Sequence, residues 1–204
     1  MNDLSLPTTI ACLTRAEARR DFGTNAHARR VAAVVERLAL QVGVSLGESR
    51  KIAHAAILHD IGKMSVPIDL LQKSTPLSVE EFALIKTHSQ AGHDILATTG
   101  NTLMNLAADI ALHHHEKYDG SGYPFGLAGD AIPLPAQILA ICDTYDALRQ
   151  DRPYRRGMTH DAAVHIIVNG DKRSTPAHFA PCTWNGFQQI SEFARQVFDG
   201  GADA

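Results

Sequence analysis

Two short stretches of the chain bring imidazole and carboxylate together. One is His59-Asp60, followed by Ile61-Gly62-Lys63; the other is His114-His115-Glu116, followed by a turn that ends Gly122-Tyr123-Pro124. Asp143 adds an acidic position downstream. Nitrogen and oxygen donors of these kinds suit borderline and hard divalent cations, and a protein that gathers them can use the cations for hydrolysis. Each stretch alone also has a plainer explanation. A His-Asp pair serves equally in a surface turn or a core hydrogen bond, and the run His113-His114-His115 near a helix end can face solvent. The Asp119-Gly120 and Gly122-Tyr123-Pro124 steps shift the balance, because a tight turn there presses backbone and the Tyr123 ring back toward the histidine pair. Adjacent helical residues point about 100° apart. Near a helix end His59 and Asp60 can still reach one ion, and a carboxylate can bridge two. Gly62 lets another segment come close, and Lys63 shares the face of His59 if the helix persists.

The elements that must position these residues are helical almost throughout. Residues 25 to 42 place Val31, Val34, Val35, Leu38 and Val42 at steps of three and four, with Gly43 as a stop. Ser45 followed by Glu48 is a capping-box signature for a helix running toward His59, with Ile52, Ala53, Ala56 and Ile57 as its buried stripe. Ser78 and Glu81 repeat the signature before a helix through Phe82 and Ile85, and Asp94 to Thr98 reads as a further helical piece stopping near Gly100. Leu103 to His113, Pro135 to Leu148, His160 to Val168 and Trp184 to Val197 complete the set, while 117 to 135 is a structured loop rich in glycine and proline. With no alternating strands and no repeats, the expectation is an all-α single domain of about seven to nine helices.

A hydrophobic content of 45% supports a real core and excludes a disordered chain. The net charge of -3 gives no general attraction to nucleic acid polymers. Arg149, Arg152, Arg155 and Arg156 form a local basic group, either a solvated surface or a site for a small phosphorylated ligand. No apolar stretch has the length of a membrane span and no secretory signal opens the chain, so no membrane partner is expected. The odd set Cys12, Cys142 and Cys182 fits a reducing cytoplasm.

The segments HDIGK at 59–63, HHEKYDGSGYP at 114–124 and DTYDALRQDRPYR at 143–155 together resemble the HD-GYP family of cyclic dinucleotide phosphodiesterases, over roughly His27 to Phe187. The resemblance implies a helical HD-type catalytic domain at 24–198, with 1–23 a short extension and 199–204 a frayed tail. It implies His27, His59, Asp60, His88, His114, His115 and Asp143 as metal ligands, with Asp60 as the bridge. His27, His59 and Asp143 would complete one ion, and His88, His114 and His115 the other. Neither His27 nor His88 stands out from local sequence. His113 and the remaining histidines gain no support, although a one-step frame shift at His113 stays open.

Iron or manganese is the implied metal. Three-metal members carry Glu four residues before the first ligand histidine. Gly23 stands there, so two divalent ions are expected rather than three. Gln137, where relatives often have Arg, and Ala180, where they typically have Asp, are further departures. Hydrolysis of cyclic di-GMP to pGpG or GMP would use water activated between two metals. Lys63 would meet the scissile phosphate, Arg152 and Arg155 the substrate phosphates, and Tyr123 would wall the cleft. Asp119 and Asp146 would hold loop and helix, and Glu116 would orient a ligand histidine. The alternatives are a degenerate module that binds nucleotide or protein without turnover, and an enzyme acting on another cyclic dinucleotide or nucleotide. With no room for a sensor in residues 1 to 23, regulation is expected from elsewhere, either from a separate protein partner or from the rest of a longer chain of which this is a fragment; the oligomeric state is left open.

Overall fold

The computed structural model describes residues 6–17, 25–98, 100–151 and 156–200. Among these residues there are nine α-helices: α1 Leu6–Glu17, α2 Asn25–Gln41, α3 Leu46–Ala56, α4 Ile68–Leu71, α5 Val79–Ala97, α6 Thr102–His113, α7 Leu134–Arg149, α8 His160–Asn169 and α9 Pro181–Asp199. Short 3-10 turns at Ile61–Ser65, Gly129–Ala131 and Pro176–His178 link them, and no strand occurs among the described residues.

The expected helices form for the expected reasons. In α2 the residues Val31, Val34, Val35, Leu38 and Ala39 are buried at helical spacing. Ser78 and Glu81 make a complete capping box on α5. At α3 only half of the box forms: Ser45 caps the Glu48 amide, while the Glu48 carboxylate turns to Lys51 at 2.6 Å.

Three elements differ from the sequence reading. Residues 82–85 and 94–97 belong to one continuous helix, α5, capped by Thr98, rather than to two pieces. Its inward face carries His88, Ser89 and Gly92, so apolar periodicity lapses where the helix faces something other than the core. α1, in the stretch read as a bare extension, is helical and packs Ile10 and Leu13 against the core beside the 61–65 turn. α9 runs through Asp199, the first residue of the stretch expected to fray, while 201–204 lie outside the described residues.

The core lies between α2, α3, α6, α7 and α9. Leu38, Leu58, Ile110, Ile138, Ile141, Tyr145 and Phe187 are among its largest fully buried side chains. Removing a side chain such as Phe187 from this packing would cost about 3–5 kcal/mol. That rigidity fixes the helix ends and faces from which the polar cluster projects.

Candidate metal centre

Five segments converge on one point. His27 sits in the first turn of α2, His59 and Asp60 in the turn after α3, and His88 in the middle of α5; His114 and His115 directly follow α6, and Asp143 lies inside α7. The helix does not persist past Ala56. The chain tightens through Leu58 N–H to the Ala55 carbonyl and His59 N–H to the Ala56 carbonyl. This turn packs against α5 so closely that a Cβ on Gly62 would stand 1.9 Å from the His88 carbonyl oxygen. Only glycine lets the His59-Asp60 turn meet His88.

Asp60 lies between two histidine groups. Its Oδ2 is 3.3 Å from His59 Nε2, and its Oδ1 is 3.4 Å from His88 Nε2 and 3.8 Å from His114 Nε2. Asp143 Oδ1 faces His27 Nε2 at 3.5 Å and His59 Nε2 at 3.8 Å. Two donor sets result, Asp60/His88/His114/His115 and His27/His59/Asp60, with the donor atoms of each within 4.8 Å of one another. Bonds of about 2.0–2.2 Å to a common cation would hold neighbouring donors roughly 3 Å apart, so the spacing fits metal ligation.

The ring orientations fit as well. His59 Nδ1 is 2.8 Å from the Ala56 carbonyl oxygen, His88 Nδ1 2.6 Å from that of Ile85, and His114 Nδ1 2.9 Å from that of Ala111. A proton on each Nδ1 is donated outward, which leaves the Nε2 lone pair facing the cluster. His27 instead places Nδ1 2.7 Å from Asp146 Oδ2, and Arg30 grips that same carboxylate through Nε at 2.7 Å and Nη2 at 2.8 Å.

Burial, reinforced by the neighbouring histidines, pushes His114 and His115 well below the usual imidazole value, and burial lowers His88 too. Burial works to raise Asp60, but Lys63, His59 and His88 outweigh it and hold the carboxyl well below its usual range. Neutral imidazoles around an ionised carboxylate are the protonation states a divalent cation requires. Lys63 Nζ rests 2.7 Å from Asp60 Oδ2.

The loop after His115 closes one wall. A Cβ on Gly122 would lie 2.3 Å from the Lys117 amide nitrogen and 2.5 Å from Glu116 Cα, so the chain can double back only with glycine there. The Tyr123 amide donates to the His115 carbonyl at 3.2 Å, and its ring stacks on His115 with centroids 4.7 Å apart. Glu116 takes a role different from the one expected. Its carboxylate accepts the Phe125 and Leu127 amides at 2.7 and 3.0 Å, so it holds the loop and not a histidine. Asp119 holds the loop as expected, through the Ser121 amide and hydroxyl.

A family model described as HD domain matches residues 12–175. The chain belongs to the HD domain family. It is 45% identical over 194 residues to the cyclic di-GMP phosphodiesterase response regulator RpfG of Xanthomonas campestris pv. campestris, a match covering 95% of this chain and 51% of that protein. It is 42% identical over 169 residues to 3'3'-cGAMP-specific phosphodiesterase 2 of Vibrio cholerae serotype O1, covering 83% and 32%. The chain thus spans about a third to a half of the length of these relatives. Among solved structures, Bd1817, a HDG"Y"P protein from Bdellovibrio bacteriovorus, superposes with a TM-score of 0.62 at 20% identity, over 87% of this chain and 53% of that one. This likeness shows that the two share a fold.

All seven residues that the HD-GYP resemblance nominates as ligands meet in this HD domain, together with Lys63 and Tyr123. Arg152, Arg155 and Gly23 lie outside the described residues. Arg149, grouped with those arginines in sequence, is committed elsewhere: it donates to the Tyr145 hydroxyl at 2.7 Å and pairs with Asp199 at 2.6 Å. His113 turns back to Asp109 on its own helix, with Nδ1 2.9 Å from the Asp109 carbonyl oxygen and 3.1 Å from its carboxylate. Gln137 donates to the Ile132 carbonyl at 2.7 Å and ties the loop end to α7. Ala180 occupies the N-cap of α9 without a side-chain cap, where an aspartate would add about 1 kcal/mol. The sequence reading missed Arg30 and the grip of Asp146 on His27. Their signal was present: Arg30 follows His27, and Asp146 follows Asp143, by the three residues that share a helix face.

Proposed function

We propose that the chain is a metal-dependent phosphodiesterase that opens a cyclic dinucleotide, cyclic di-GMP foremost, to linear pGpG or on to GMP. The observation that carries this reading is the position of Asp60. One carboxylate oxygen faces His59 and the other faces His88 and His114, the arrangement of a group shared by two cations. His27, His59 and Asp143 would hold one divalent ion and His88, His114 and His115 the other, with iron or manganese suiting the mixed donors. The sequence departure at Gly23 favours two ions over three. When bound, such ions supply Lewis acidity to phosphoryl oxygens and make water at the site more acidic.

The remaining work falls to the chain. The backbone-held histidines keep their Nε2 lone pairs turned inward. Lys63 offers an ammonium group beside Asp60 to a phosphoryl oxygen, and a proton to the departing oxygen. Tyr123, stacked on His115, bounds the cleft and limits how the sugar-phosphate ring can sit. Arg152 and Arg155 are assigned to substrate phosphates on motif resemblance, since a guanidinium fork matches phosphate oxygens. The names of the relatives, one a cyclic di-GMP and one a 3'3'-cGAMP phosphodiesterase, support the substrate class. We place the reaction in the cytoplasm; no helix among the described residues is long and apolar enough to cross a membrane.

The test is an incubation of protein reconstituted with Mn²⁺, or anaerobically with Fe²⁺, with cyclic di-GMP, 3'3'-cGAMP and cyclic di-AMP, products being separated by chromatography. Linear dinucleotide or mononucleotide from at least the first is expected. Metal-loaded protein that leaves all three intact would end the reading.

A further inference from the structure

Of the ligand histidines with a resolved Nδ1 contact, only His27 relies on a side chain. His59, His88 and His114 use the carbonyl three residues back in their own segment. His27 stands near the start of α2, Asn25–Gln41, and its Nδ1 meets a side chain of another helix instead. That side chain is Asp146, from α7. Both Asp146 oxygens are engaged, Oδ1 by Arg30 Nε and Oδ2 by Arg30 Nη2 and His27 Nδ1, which leaves the carboxylate little freedom to rotate.

The support continues beyond Arg30. Its guanidinium lies 4.6 Å from the centroid of the Phe198 ring, in the last turn of α9, and the Arg149 guanidinium lies 4.4 Å from the same ring. Two like charges meet at one ring because each has its own carboxylate, Asp146 for Arg30 and Asp199 for Arg149. The ring face attracts both cations and fixes their planes. A continuous series of contacts therefore runs from the end of α9 through Arg30 and Asp146 to Nδ1 of His27.

We propose that Arg30 and Asp146 are positioning residues for His27, and that Phe198 makes the last turn of α9 a determinant of how tightly the His27-side cation is held. This rests on the two-cation reading above. Asp146 fixes the tautomer that turns Nε2 inward and raises the basicity of the ring. Arg30 sets the carboxylate angle, and Phe198 sets Arg30. The His88, His114 and His115 side has no part in this series.

The experiment is a Mn²⁺ titration of metal-free wild type, Asp146→Asn, Asp146→Glu and Phe198→Leu, with bound ion counted by loss of the free-ion electron paramagnetic resonance signal. Melting of each metal-free form is recorded alongside. Wild type should bind two ions. Asp146→Asn should keep one at wild-type affinity and bind the other about 10–100-fold more weakly, with Asp146→Glu recovering part of the loss. Phe198→Leu, which keeps apolar bulk but loses the ring face, should weaken that same ion about two- to fivefold. Unchanged binding of both ions in Asp146→Asn, or equal weakening of both, would overturn the inference. Should Asp146→Asn fail to fold, Phe198→Leu decides by the same criterion. Wild type that binds no Mn²⁺ would instead overturn the metal centre on which the inference rests.

Discussion

The two sides of the cluster are built differently. On one side His88 and His114 are at most 2% exposed, and their ring nitrogens are held by backbone carbonyls of α5 and α6. On the other, His59 is buried and backbone-held in the same way, but His27 and Asp143 have side chains 13% and 23% exposed, and His27 is held by the Asp146–Arg30 pair. A site fixed by main chain is as rigid as the helices themselves, and only changes that disturb the helices move it. A ligand fixed by side chains, as His27 is, can be tuned one residue at a time. Asp60 belongs to both and joins the rigid side to the adjustable one.

Replacing Asp60 with Ala should have the largest effect, because it removes the one group that both sides share. Turnover should vanish and retained metal should fall, as read by metal analysis after gel filtration. Full activity in this variant would dissolve the distinction between the sides by showing that nothing joins them. Lys63→Ala is expected next. It touches Asp60 without belonging to either donor set, so metal content should stay while kcat falls roughly 10²–10³-fold. Metal loss in Lys63→Ala would instead make the lysine part of the centre's support.

Gly122→Ala probes the wall of the rigid side. Its Cβ would meet backbone at 2.3–2.6 Å, so the loop must shift and carry Tyr123 off His115. Misplacement of that order can cost up to about 100-fold in kcat/KM, and metal content should be retained. A variant with wild-type kcat/KM would show that the Tyr123 wall does not shape the cleft.

The smallest effect is on stability of the metal-free protein. Burial lowers His88, His114 and His115 below the ordinary value of 6.5, so near that pH the unfolded chain binds more protons than the folded one. The contribution of these neutral rings is therefore complete above the unfolded value and is lost as pH falls below it. Melting should occur a few degrees lower at about pH 5.5 than at about pH 7.5. A melting temperature that rises on acidification would contradict the buried, neutral state of the rigid side.

Much of this was legible in the sequence because it is local. The capping box at Ser78, the apolar stripe of α2, and the glycine turn behind His114 and His115 each act within a few residues. What was not legible depends on distant partners. The middle of α5 turns His88 to the cluster and buries Ser89 and Gly92 beside it in sequence, so its apolar rhythm breaks and one helix reads as two. Glu116 finds its partners in the amides of residues 125 and 127, which nothing in its own neighbourhood announces. The contact of Asp146 with His27 crosses 119 positions, and only the spacing of each within its own helix hinted at it. His27 and His88 likewise came from family resemblance, since a lone histidine on a helix carries no mark of its role.

The most direct measurement is the low-temperature electron paramagnetic resonance spectrum of the Mn²⁺-reconstituted protein, taken with a metal count. The account predicts two ions per chain whose spins are coupled through a shared ligand, and loss of that coupling in Asp60→Ala. A single ion per chain, or two magnetically isolated ions, would contradict it.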